Sequence, residues 1–359
     1  MIRAWLIGLV LAGMVVDTAM AQSRPVRGTA NVAGRLYIQD ESGKFFFARS
    51  ASPQGTAVVY DIKRSQTSHE QHTTLSAHPF IADLPPGKYT FMAERGKEYS
   101  AATAAVTVPE TGEVPQVKLS LTPWIEMHNE HWYSGDTHVH RKLEDLPNLL
   151  EAEDLHVALP LTYWVRGAYE SPAQTPVGGH PGPKLIVVPS QVPQGAARVI
   201  WPINTEYELF TVKGKSHPEG AVFVLNHKRP LEPAAPPVAP IAQAARDEGA
   251  LVDLDKHSWN LSMMIVPLMN VDLFELANNH VWRTGFLFKN WTIEMLPKDW
   301  EIETDADGYT EQGWIDWGFK TYYAIELRVP DASYRRNRFR RASGPPRVRA
   351  SLRGVPRGL

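Results

Sequence analysis

Ile241-Ala242-Gln243-Ala244-Ala245-Arg246-Asp247-Glu248, then Gly249, then Leu251-Val252-Asp253-Leu254-Asp255, reads as a helix running straight into a strand. The first stretch is a good helix, and Gly249 stands where a glycine closes one. Working outward, Val157-Ala158-Leu159 reads as a strand. Leu185-Ile186-Val187-Val188 and Ala221-Val222-Phe223-Val224-Leu225 read as buried strands. Leu143 to Leu155 reads as a helix interrupted at Pro147. Alternating β and α elements imply a parallel sheet, either doubly wound or closed into a barrel. In such folds functional residues gather at the carboxyl ends of the strands.

The polar residues follow that rule. Ser134-Gly135-Asp136-Thr137-His138-Val139-His140 comes just after Trp132 and Tyr133, and Glu206 sits in Ile203-Asn204-Thr205-Glu206-Tyr207. His227 ends the run from Ala221, and His257 ends the run from Leu251. Val271 to Leu276 finishes in Ala277-Asn278-Asn279-His280. On an extended strand the side chains at i and i+2 share a side, so His138 and His140 are expected to face one pocket. Two such imidazoles form half of a Zn²⁺ or similar divalent-metal site.

Ten of the 13 histidines lie between His128 and His280, interleaved with Glu206, Asp253, Asp255 and Glu275, the clustering that a multi-ligand site needs. There is no cysteine, so any metal is held by nitrogen and oxygen donors and no disulfide braces the chain. The absence of a His-Glu-x-x-His motif argues against a zinc peptidase.

The rest of the chain divides by rhythm. Arg3, the apolar run Ala4 to Val16 and Ala19-Met20-Ala21 read as a secretory signal over residues 1–21, too short for a membrane span. The mature chain is then expected in the periplasm or outside the cell, with no membrane span. Residues 22–122 read as a small β-sandwich, with a period of two at Tyr89 and Phe91 and again at Val106, Val108, Val117, Leu119 and Leu121. Leu84-Pro85-Pro86-Gly87-Lys88-Tyr89-Thr90-Phe91 resembles transthyretin-like, carboxypeptidase-regulatory domains. His69, His72 and His78 are expected on a solvated loop there. A formal charge of -2 and 43% hydrophobic residues exclude, by bulk, a nucleic-acid binder or a disordered chain.

Gly135 to His140, the strand-ending His257 and Glu275-Leu276-Ala277-Asn278-Asn279-His280 together resemble the CehA/McbA family of metallohydrolases, within the polymerase-and-histidinol-phosphatase (PHP) superfamily. The resemblance covers about Trp124 to Ala324, within a second domain expected at 123–325. It implies a distorted (β/α)₇ barrel, divalent metals (zinc first, manganese or iron next) and hydrolysis of ester-like or phosphoester bonds in a small molecule. His138 and His140 match the opening ligands, Glu206 an acidic ligand and His257 a later histidine, with His227 and His280 as further members. Glu206, Asp255 or Glu208 is the expected proton acceptor. One departure is Leu161-Thr162-Tyr163-Trp164, where many superfamily members carry an Asp-His pair.

The other departure is the end. From Glu326 to Leu359 there are ten arginines, no lysine and two acidic residues. Chains of the resembled family continue differently after Thr321 to Ala324, and that continuation, back-translated with GC-rich codons and read one frame off, gives strings close to Leu327 to Ala332 and Tyr334 to Arg341. The expectation is a frameshift that truncates the barrel and leaves 326–359 disordered. Two other readings remain: a secreted binding or scaffold protein that has lost catalysis, and an amidohydrolase-type barrel, which also opens with His-x-His.

Overall fold

The computed structural model describes residues 22–63, 69–176, 181–192, 195–212, 215–216, 220–255, 262–275, 281–282, 285–286, 300–306 and 308–328. The leader expected at 1–21, His257, His280 and residues 329–359 lie outside them. A helix, Glu311–Arg328, runs through the point where the composition changes. No helix among the described residues is long and apolar enough to cross a membrane.

The first part of the chain is two sheets sharing one apolar core. One sheet orders Val117–Leu119, Arg24–Ala30, Phe80–Leu84 and Arg49–Ser50. The other orders Ala102–Val108, Gly87–Glu94, Gly34–Asp40, His69–Leu75 and Ala57–Lys63. Alternation builds the core: in Gly87–Glu94, Tyr89, Phe91 and Ala93 are buried while Lys88 and Thr90 are exposed. The Tyr89 hydroxyl donates to the Pro85 carbonyl at 2.8 Å and ties the preceding turn to its strand. Gly28 pairs with Phe80 across the sheet, and a Cβ there would collide with the Phe80 ring. His72 is not on a solvated loop. It is buried within the strand His69–Leu75, stacked 5.0 Å from the Tyr60 ring and 3.2 Å from the Glu70 carboxylate.

The second part is mixed α/β, strand-rich, and no closed barrel forms among the described residues. Gly135–Val139, Val157–Pro160 and Arg198–Ile200 are parallel neighbours. The helix Leu146–Ala152 makes the first crossover, and Pro147 sits in its first turn, where a proline starts a helix rather than interrupting it. Ile186–Val188 joins antiparallel at the edge, with Val187 46% exposed rather than buried.

The larger sheet orders Ala173–Gln174, Tyr163–Gly167, Thr205–Val212, Ala221–Leu225, Leu251–Asp255 and Leu273–Phe274. It is not the all-parallel sheet that the alternation implied. Ala221–Leu225 runs antiparallel to both neighbours. Too few residues separate Val212 from Ala221 for a crossover, which takes a dozen or more. The helix Ala239–Glu248 does end at Gly249, whose φ of 66° is the left-handed cap.

The two faces of this sheet have different work. Val165, Tyr207, Val222, Val224, Val252 and Leu254 pack on one side with Ile241 and Ala245 of the helix Ala239–Glu248. Ile265 and Met269 of the helix Ser262–Met269 complete that core. Phe223 and Leu225 turn to the opposite side and meet Leu159 and Leu161 from the chain leaving the smaller sheet. The second face carries the site.

Candidate metal centre

Register across the larger sheet sets out a row. Trp164 pairs with Glu206, Glu206 with Phe223, Phe223 with Asp253, and Asp253 with Leu273. Laterally paired residues project to the same side of a sheet, so this row lies on the second face. Asp255 lies two residues beyond Asp253 and shares its side. Glu275 follows Leu273–Phe274, its backbone N–H bonded to the Leu254 carbonyl at 3.0 Å. Thus Leu-Val-Asp-Leu-Asp gives Val252 and Leu254 to the helix core and Asp253 and Asp255 to the site.

His138 and His140 arrive over that face from the smaller sheet. The strand Gly135–Val139 has a register irregularity between Asp136 and Val139, and the Asp136 carboxylate accepts the His138 backbone N–H at 2.8 Å. Such an irregularity re-aims side chains. The His138 ring stands 4.6 Å from the Phe223 ring and 5.1 Å from that of His140, and the His140 ring stands 5.0 Å from that of Trp164.

Two donor triads result. His138, His140 and Glu206 offer atoms all within 4.8 Å of one another, and so do His138, Asp255 and Glu275. His140 Nε2 is 3.3 Å from Glu206 Oε2, and His138 Nδ1 is 3.1 Å from Glu275 Oε1. Glu206 and Asp255 are almost completely buried. Burial pushes the Glu275 carboxyl well above the usual carboxylate range, and the negative charge of Asp255, Asp253 and Asp136 pushes it further. Glu275 Oε2 is buried and meets no protein donor among the described residues. Like charges held this close out of water are costly, and a divalent cation is the group that offsets them. The residues fit a metal.

The structure therefore brings together His138, His140, Glu206 and Asp255 and adds Glu275, a residue of the motif that ends in His280 but not one of the expected ligands. Its place just after Leu273-Phe274, one strand over from Asp253 and Asp255, is set by the parallel register, which no spacing in the sequence signals. Glu206 reaches the pocket for a different reason than expected: it is the second residue of its strand and does not end one.

His227 is elsewhere. It follows the antiparallel strand, is fully buried, and places Nε2 2.9 Å from the Thr205 hydroxyl and Nδ1 2.7 Å from the Arg229 carbonyl. Both ring nitrogens are used by the protein, so none is left for a metal. His227→Gln is expected to keep the wild-type metal content while losing about 1–3 kcal/mol of stability in urea unfolding.

Burial also drives the His227 and His156 imidazoles down to about 4. The unfolded histidines titrate near 6.5, so between 6.5 and 4 the unfolded chain binds more protons. The stability from keeping these rings neutral is complete above about pH 6.5 and is lost as the pH falls toward 4. Between pH 7 and pH 5 the urea midpoint of metal-free wild type should change unfavourably relative to that of metal-free His227→Gln, because the raised Glu275 carboxyl acts in the opposite direction but equally in both proteins. Equal pH dependence in the two proteins would contradict this assignment.

No family model matches the chain, and no curated protein matches it.

Proposed function

We propose that the chain is an exported, divalent-metal-dependent hydrolase of ester-like or phosphoester bonds, of the CehA/McbA type. The observation that carries the reading is the pair of donor triads meeting at His138. The donors are all nitrogen and oxygen, suited to zinc and also to manganese or iron. A divalent cation there supplies Lewis acidity toward the scissile carbonyl or phosphoryl oxygen and activates water.

The chain's own groups do the rest. His138 and His140 are presented as imidazole donors from one strand end. Asp136 holds the backbone that aims His138. Glu206 and Asp255 are fixed on the same sheet face, and one of the two carboxylates takes the single proton released when water attacks. Phe223 and Trp164, lying in the row with Glu206, restrict water beside them.

The test is metal content and turnover together. Protein loaded with Zn²⁺ or Mn²⁺ and desalted should retain metal, and should hydrolyse 4-nitrophenyl esters or phosphoesters in a chelator-sensitive way. Retained metal with no turnover on either class favours the second reading, a secreted binding protein. The observation behind that reading is Trp164, an indole next to Glu206 in the stretch where superfamily members carry ligands. Export through residues 1–21 and a frameshift near Glu326 belong to the proposal. Amino-terminal sequencing of the exported protein and the nucleotide sequence beyond the Ala324 codon test them.

A further inference from the structure

The strand Tyr163–Gly167 brings a cation to the edge of this acidic centre. Trp164 lies beside Glu206 in the row, and its ring is tilted 35° to that of His140. His140 has the more solvent-accessible side chain of the two histidines, 33% exposed against 8% for His138. On the same indole stands Arg166, its guanidinium carbon 3.6 Å from the ring centroid. Arg166 is exposed, and among the described residues it makes no ion pair. Stacking on the indole holds its planar fork one ring away from His140.

A guanidinium held flat on an aromatic face keeps its N–H edge free for an oxyanion, which it binds in bidentate fashion. The centre already has an excess of carboxylates, so a cation at its accessible edge serves the incoming molecule rather than the fold. We infer that Arg166, positioned by Trp164, anchors an anionic group of the substrate, a carboxylate or a phosphate lying beyond the scissile bond. The inference rests on the hydrolase reading and makes it specific: the substrate is an anionic ester, with its charge on the Arg166 side and its reacting group over His140. Arg166 is then a specificity-determining residue.

The test compares mono-4-nitrophenyl glutarate with the uncharged 4-nitrophenyl butyrate on the Zn²⁺-loaded full chain. The wild type should prefer the glutarate. Arg166→Gln should lower the ratio of the two kcat/KM values roughly 10-fold or more, through KM for the glutarate, as expected for loss of a charged hydrogen bond. Arg166→Lys should keep part of the preference, which a merely structural role would not produce. A ratio unchanged in Arg166→Gln overturns the inference. If neither of these esters nor a 4-nitrophenyl phosphoester is hydrolysed, the hydrolase reading falls, and calorimetric titration still decides on Arg166. There, glutarate or inorganic phosphate should bind the wild type roughly 10-fold more tightly than Arg166→Gln. The anion that shows the larger difference identifies the source of the charge, and equal affinity for both proteins overturns the inference.

Discussion

His138→Ala is expected to empty the centre, because His138 is the one residue common to both donor triads. Loaded and desalted variant should retain metal only at background level. Its affinity should fall by more than about 100-fold, the upper end of what losing an outer partner of a metal ligand costs. His140→Ala breaks only the first triad and leaves His138, Asp255 and Glu275 intact. That variant should bind less metal than the wild type and more than His138→Ala. The ranking separates a shared centre from two histidines that merely lie close together. Equal metal content in His138→Ala and the wild type would remove the basis for the proposed function.

How much of this was legible in the sequence depended on whether a local pattern or a long-range pairing fixed the feature. The shared side of His138 and His140 is announced by the period of two, while the register irregularity after Asp136 and the Asp136 carboxylate complete their aim in the structure. The helix closed by Gly249 was equally local, since a left-handed cap is written into one glycine. The direction of Ala221–Leu225 was not local: it hangs on the short connection after Val212, and the β/α alternation hid it. That single reversal is why His227 reads as a strand-end ligand in the sequence and is a buried, doubly bonded ring in the structure. Glu275 failed in the opposite direction. Its place depends on the pairing of Asp253 with Leu273, a parallel register that no spacing announces. His72 reads as a loop residue because polar residues between two strands look like a loop, whereas here the strand carries His72 inward between the Tyr37 and Tyr60 rings.

Glu151→Ala is expected to cost the whole chain about 3–5 kcal/mol, the range for removing one partner of a buried ion pair. Glu151 is completely buried at the junction of the two parts, within a network that both of them supply. Arg95, from the sandwich side, is 1% exposed and donates to the Ala33 and Glu151 carbonyls and to the Asp154 carboxylate at 2.9 Å. Arg198, from the smaller sheet, is 2% exposed and lies 2.8 Å from Glu151 Oε1 and 3.0 Å from Asp154 Oδ1. Burial lowers the pKa of Arg198, opposed by Glu151, so the carboxylate is what makes a charged guanidinium tolerable there. Removing Glu151 leaves two guanidinium groups sharing Asp154 inside the protein. Glu151→Gln keeps the shape and some of the hydrogen bonds but not the charge, and should fall between alanine and the wild type. The network also decides whether the sandwich is a free module. Arg95 takes its partners from both sides of the boundary near Thr122–Pro123, so urea should unfold the wild type in one transition reported equally by probes on either part. Two separated transitions in the wild type, or a Glu151→Ala variant as stable as the wild type, would show that the junction contributes no cohesion.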